Sequence, residues 1–292
     1  MKKIKLTLGL LLIAALTIAQ EPVTGDTLWK LTGVTSLSLS QLSLTNWAAG
    51  GENSISGNAL IKISPDYDND TINWDNDLTL GFGLLKQGDS NARKSDDQIE
   101  LSSKFGYRAS KNWSYTALLS FKTQFADGYA DPDDLNTKIS GFMAPGYLNF
   151  SLGMDYKPTD GFSLFIAPLS AKMTFVLDDS LSNAGFYGVS PGESVRGEFG
   201  GYIKIAYKRE ILKNVLLDTK IDLFSNYIDN PQYVDVNWDL LLTFKVNEFI
   251  SATLMTQLIY DYDIKFGPAP GEPKIQFKEI FGLGLTYLFS KN

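Results

Sequence analysis

The chain has 292 residues, 20% charged and 13% aromatic, a formal net charge of −7, and neither cysteine nor histidine. Disulfides, thiolate or imidazole metal sites and a histidine general base are therefore excluded. The acidic balance argues against nucleic acid or an anionic lipid surface as partner.

At the N-terminus Lys2, Lys3 and Lys5 precede an apolar run from Leu6 to Ala19. That run is about fourteen residues, short of the ~20 a helix needs to cross a bilayer. It predicts a signal peptide over 1–19, cleaved after the small residues Thr17 and Ala19, and then a periplasmic segment over 20–33. Without cysteine the signal cannot be a lipoprotein anchor. Loss of the three lysines takes the net charge to about −10.

From there the pattern has period two. Twelve strands are predicted, at 34–44, 52–64, 71–85, 97–108, 112–124, 146–157, 162–175, 194–208, 214–227, 234–245, 249–263 and 276–289. They run to at least eleven residues, enough for a tilted membrane-crossing strand, whereas strands of a soluble sandwich average about five or six. Connections after even-numbered strands are brief, and those after odd-numbered strands are longer, chiefly 86–96, 125–145, 176–193 and 265–275. Short periplasmic turns alternating with longer external loops, and an even strand number, are the layout of a bacterial outer-membrane barrel. Residues 34–292 are thus predicted to be an all-β, transmembrane, antiparallel up-and-down barrel with both termini in the periplasm and a monomeric core.

Within strands the two faces separate. On the eighth, Val195, Phe199, Ile203, Ile205 and Tyr207 are expected to face lipid, with Arg196, Glu198, Tyr202 and Lys204 inward. The ninth sets Val215, Leu217, Ile221 and Leu223 against Asp218, Lys220 and Asp222; the tenth sets Val236, Trp238, Leu240, Leu242 and Phe244 against Asp235, Asn237, Asp239 and Lys245. Trp113, Tyr156, Tyr207, Phe249 and Tyr287 fall at the periplasmic rim, and Phe125, Tyr227, Tyr260 and Tyr262 at the outer one, where aromatic girdles sit. On the first strand Leu37, Leu39, Leu42 and Leu44 change phase at Ser40 and Gln41, which predicts a bulge. The last strand places Leu283, Leu285, Tyr287 and Phe289 on one face, the pattern recognised by barrel-insertion machinery, with Gly282 where a larger polar residue is usual.

Inward positions collect both charge signs. Asp75, Asp77, Glu100, Asp155, Glu198, Asp218, Asp222, Asp235, Asp239, Asp261 and Asp263 are interspersed with Lys62, Lys104, Arg108, Lys122, Lys157, Arg196, Lys204, Lys220 and Lys245. One reading is a transverse field, an acidic wall on strands nine to eleven facing a more basic one on strands four and five. The other, favoured for so narrow a barrel, is a lumen filled by paired charge. Asp66, Asp68 and Asp70, and Asp127, Asp131, Asp133 and Asp134, are carboxylate clusters of the kind calcium uses. Neither has a calcium loop's spacing with a distal bidentate glutamate, and both read as solvated turns. No cofactor, metal or catalytic residue is expected.

The segment Asn46, Trp47, Ala48, Ala49, Gly50, Gly51, Glu52, Asn53, Ser54 resembles the NWxxGGxNS signature of a Bacteroidota group of outer-membrane proteins carrying a domain of unknown function. The resemblance implies a barrel over about 29–289 and brings no activity or ligand with it. From the residues themselves, Gly50 and Gly51 permit positive φ in a tight turn and Trp47 suits a membrane interface.

The expected function is that of a non-enzymatic protein of the outer membrane, a narrow pore or an accessory subunit of a larger outer-membrane assembly. Its expected partners are outer-membrane lipid, the insertion machinery and such an assembly, with no nucleic acid. A lipid- or peptide-cleaving barrel hydrolase is the alternative; the comparable chemistries rely on a histidine base this chain lacks. The long loops 125–145 and 176–193 are where recognition, or shielding of the mouth, is expected.

Overall fold

The computed structural model describes residues 28–44, 52–266 and 271–291. The signal peptide, residues 20–27 and most of the Asn46–Ser54 motif lie outside the described residues. Each long strand alternates small or polar residues with apolar ones, so neither face suits a soluble core alone, and closure into a barrel gives each face its own environment.

The strands are β1 (Trp29–Leu42), β2 (Ser54–Asp68), β3 (Ile72–Gln87), β4 (Arg93–Arg108) and β5 (Trp113–Thr123). A hairpin outside the barrel follows, β6 (Gly128–Asp131) and β7 (Asp134–Ser140). The barrel resumes with β8 (Gly146–Thr159), β9 (Phe162–Phe175), β10 (Val195–Leu212), β11 (Val215–Asn226), β12 (Val234–Lys245) and β13 (Ile250–Tyr260). After the short pair β14 (Lys265–Phe266) and β15 (Glu272–Pro273), β16 (Gln276–Lys291) closes it. Twelve strands form one closed ladder in the order β1, β16, β13, β12, β11, β10, β9, β8, β5, β4, β3, β2, all antiparallel. The predicted fold class, strand number and alternation of turns with loops are all present.

Two expectations need correction. β1 begins at Trp29 rather than Val34, because Trp29 and Leu31 already alternate with Lys30 and Thr32 in register with β2. The bulge at Ser40 and Gln41 is absent: Ser40 pairs with Ser56 and Gln41 with Ile55 without a shift. The phase change of the leucines marks the end of the strand, not an insertion. Register shifts in the barrel instead fall at Gly83/Leu84, Leu152/Met154, Tyr156/Thr159, Gly200/Tyr202 and Glu210/Leu212.

The closing seam pairs Leu31 to Leu39 with Lys291 to Leu283. Gly33 sits opposite Phe289, whose ring occupies the space a Cβ at Gly33 would need. An aromatic ring laid over a glycine keeps that stretch of ladder dry. The unusual glycine at 282 has a similar reason: a Cβ there would approach Ser38 Oγ to 2.5 Å. Pro65 removes one ladder donor from β2, and there Asn76 holds the two strands by side-chain bonds instead, its Nδ2 donating to Pro65 O at 3.0 Å and its backbone N–H to Asp66 Oδ1 at 3.2 Å.

Outward positions are apolar around the wall, with Phe281, Leu283, Leu285, Leu101, Phe150 and Phe199 among them, all exposed on the barrel's surface. At the end holding both termini, Trp29 packs on Tyr67 and Trp74 at 5.3 and 5.8 Å, and Trp113 on Tyr156 at 4.9 Å. At the other end Tyr227 meets Phe199, and Tyr262 stacks on Tyr233 at 3.7 Å. The predicted girdles are thus present, and wider than the sequence suggested.

Candidate functional site: the charged lumen

Strand alternation delivers the polar side chains into the barrel, and closure decides which of them meet. Lys62 on β2 donates to Asp218 on β11 at 2.5 Å. Lys220 on β11 reaches Glu100 on β4, and also lies 3.6 Å from Asp239. Lys278 on β16 donates to the fully buried Asp96 on β4 at 2.7 Å. Lys62–Asp218, Lys220–Glu100 and Lys278–Asp96 each join strands that are not neighbours, so each of the three is a strut across the interior, whereas Lys220–Asp239 joins the paired strands β11 and β12.

Two further knots lie toward the ends. Lys104 bridges Asp155 at 2.7 Å and Asp75 at 3.4 Å, and Lys157 joins the same two acids near the turns. Near the other mouth Lys172 gathers Asp235 at 2.6 Å, Glu198 at 3.4 Å and Asp261 at 3.5 Å. Arg196 holds Glu198 at 2.9 Å and also Asp263. Burial of these ions is tolerated because each has an opposite partner; removal of one member would strand the other in a poorly hydrated interior.

Of the sequence-predicted inward residues, Lys204 pairs with Asp222 at 3.3 Å, Asp77 accepts from Ser64 Oγ at 2.7 Å, and Lys122 stands opposite Glu100 in register. Arg108 lies outside the group, bound to Asp68 at the β2–β3 turn, and Lys245 is exposed at the end of its strand. Opposite signs meet both across the lumen and between neighbouring strands, which supports paired filling over two facing walls of opposite charge.

Sequence reasoning missed Lys172, Lys278 and Asp96. Lys172 shares a face with Ser170 and Thr174, and Lys278 with Gly282 and Thr286, so alternation carries their signal, whereas Asp96 falls in the predicted loop 86–96 just before its strand. It also missed an apolar plug against one wall: Leu118, Phe165, Ala167, Tyr202 and Phe224 form a buried cluster inside the barrel. The Tyr202 hydroxyl donates to Asp222, and Lys172 Nζ lies 5.2 Å above the Phe224 ring. Two small cavities of about 60 Å³ each lie among these side chains. Both touch Lys62, Thr79, Glu100, Asp218 and Lys220, so the central struts stand at the boundary between them.

The acidic turn clusters are spent on their own backbones and neighbours. Asp133 accepts from Asn91 N at 2.9 Å, Asp134 from Asn136 N at 3.0 Å, and Asp127 pairs with Lys138 at 2.8 Å. Among the described residues no three acids converge as metal ligands. Of the signature segment, residues 52–54 are described: Asn53 Oδ1 accepts from Leu44 N at 2.6 Å and its carbonyl from Gly88 N at 2.8 Å, tying the first external loop to the second.

Comparison with known proteins adds little beyond architecture. A profile described as "Protein of unknown function (DUF3078)" matches residues 39–129. No curated protein matches the chain. Among solved structures, the translocator domain of the autotransporter NalP from Neisseria meningitidis is similar over 97% of this chain and 95% of that one, at 10% identity and a TM-score of 0.37. An outer membrane channel from Pseudomonas putida F1 is similar over 92% and 99%, at 10% identity and 0.39. The NanC porin is similar over 87% and 98%, at 8% identity and 0.40. At such scores the fold assignment rests on this chain's own closed ladder.

Proposed function

We propose that this protein is a non-enzymatic barrel of the outer membrane whose lumen is narrow and largely filled by its own side chains. The observation carrying this reading is the set of struts Lys62–Asp218, Lys220–Glu100 and Lys278–Asp96, which join strands on different sides of the barrel. The apolar outer wall between two aromatic girdles supports placement in a bilayer, and a closed ladder is the form of strand structure that leaves no backbone edge in hydrocarbon. The chain's lack of histidine argues against the hydrolase alternative. Insertion would proceed through the C-terminal strand, whose outward Leu283, Leu285, Tyr287 and Phe289 carry the recognised pattern. A barrel this well filled suits limited passage of small ions, or service as an accessory subunit of a larger assembly.

Planar-bilayer conductance of the purified, refolded protein tests the reading. Small or absent steps are expected; steady conductance like that of a large general porin would overturn it. Identification of co-purifying outer-membrane proteins tests the accessory role.

A further inference from the structure

External loop 4, residues 176–194, is anchored at both of its sides. Val176, Leu181 and Val189 close with Ala144 of the preceding external loop into a buried apolar cluster, against which Tyr187 packs. The Tyr187 hydroxyl donates to Ile139 O at 2.6 Å, and Leu177 N–H to Met143 O at 2.9 Å. Lys138, on hairpin strand β7, bridges Asp127 and Asp178 at 2.8 Å each. Asp178 also caps α1 (Asp179–Asn183), accepting from Ser180 N and Leu181 N. These contacts fasten one side of loop 4 to the β6–β7 hairpin.

Its other side turns toward the lumen. Gly188, at a φ of 79° that only glycine adopts without strain, lies against two inward groups: a Cβ there would collide with the Arg196 guanidinium and lie 3.4 Å from Asp263 Cβ. Arg196 Nη1 donates to Gly188 O at 3.5 Å and its Nη2 binds Asp263. Arg196 is on β10 and Asp263 follows β13, with β11 and β12 between them in the wall. A turn that is bonded to the first and approaches the second lies over the part of the mouth between β10 and the end of β13.

We propose that the Tyr187–Gly188 turn is a fixed constriction at the external mouth, clamped by the β6–β7 hairpin, and that it sets the size of solute reaching the lumen. Compact loops held over a rigid scaffold are suited to selecting what passes. The proposal does not depend on how far the lumen below conducts.

The test uses Thr174→Cys, a near-isosteric change at a buried inward position in register with Arg196 and Tyr147, beneath the turn. The chain has no cysteine of its own, so that thiol is the single reporter. Its reaction rates with small methyl methanethiosulfonate and with a bulky polyethylene-glycol maleimide are measured on the folded protein in detergent micelles. The comparison is made with loop 4 intact, with 179–192 replaced by a short Gly-Ser linker, and with full length kept but the clamp removed by Lys138→Gln and Tyr187→Ala. The bulky reagent should react at least about tenfold faster in both altered forms. A thiol introduced separately by Leu135→Cys, at the exposed hairpin tip, should react at one rate throughout. Unchanged rates at position 174 in the clamp-free full-length form overturn the proposal, as does rapid bulky labelling with loop 4 intact. Large conductance together with the expected labelling difference would sink the narrow-pore reading and leave the loop's role standing.

Discussion

At the residue scale the most informative positions are those where a side chain is defined by something distant in sequence. Lys62 and Asp218 are 156 positions apart, yet each is the other's counter-ion. Loss of Lys62 alone leaves a buried carboxylate uncompensated, so Lys62→Met is expected to cost about 3 kcal/mol of unfolding free energy in urea titrations of vesicle-embedded protein. Adding Asp218→Leu should recover most of that loss, because the cost lies in the stranded charge rather than in the pair. If the double variant were as unstable as the single one, the strut would not be a mutual pairing. Gly33 offers a second case. Gly33→Val drives a branched side chain into the Phe289 ring and the Lys62 carbonyl at the closing seam. Overpacking there is expected to cost about 1–3 kcal/mol, lowering the temperature at which the folded gel band is lost.

At the element scale, strands and loops answer to different solvents. Leu242 on β12 is flanked by Leu217 and Leu254 on the outward face. Leu242→Arg should cost roughly 2–4 kcal/mol at mid-membrane and block assembly, seen as loss of the protein from the membrane fraction. The loop 4 clamp answers to pH instead. Hydrogen bonds from Lys138 and Ser180 lower the Asp178 carboxyl from 3.8 to about 2, and burial pushes the Tyr187 hydroxyl from 10.0 up to about 12. The carboxyl is depressed on folding, so its contribution is complete above pH 3.8 and is lost as pH falls toward 2. The phenol is raised, so its contribution is complete below pH 10.0 and is lost as pH rises toward 12. Hydrogen exchange of residues 176–193, corrected for intrinsic rates, should therefore show constant protection between these limits and loss beyond them. Loosening near neutral pH would contradict the assignment.

At the scale of the whole molecule, one closed ladder of twelve strands has no edge from which detergent can begin to unzip it. Unboiled protein is expected to run as a compact band in dodecyl sulfate gels and to shift after boiling. A single unshifted band would count against a stable barrel. Closure also explains why the interior can hold so many ions: every lumen-facing strand is within reach of several others, so a lysine such as Lys172 can take acids from β10, β12 and the end of β13 together.

Strand positions, the inward and outward faces and the order of turns and loops were legible in the sequence because they rest on a period of two and on turn residues, both local properties. Where local pattern was weakest, at Ser40 and Gln41, reading it alone produced a bulge that pairing with β2 does not contain. The inward acids and bases could be named one strand at a time, but not their partners. Whether Lys220 meets Glu100 or only Asp222 depends on barrel circumference and register, and those exist only once β1 has found β16. The apolar plug around Phe165 and the turn of loop 4 over Arg196 depend on the same closure. Alternation decides which side of the wall a residue occupies; the distance across a closed lumen decides what it touches there.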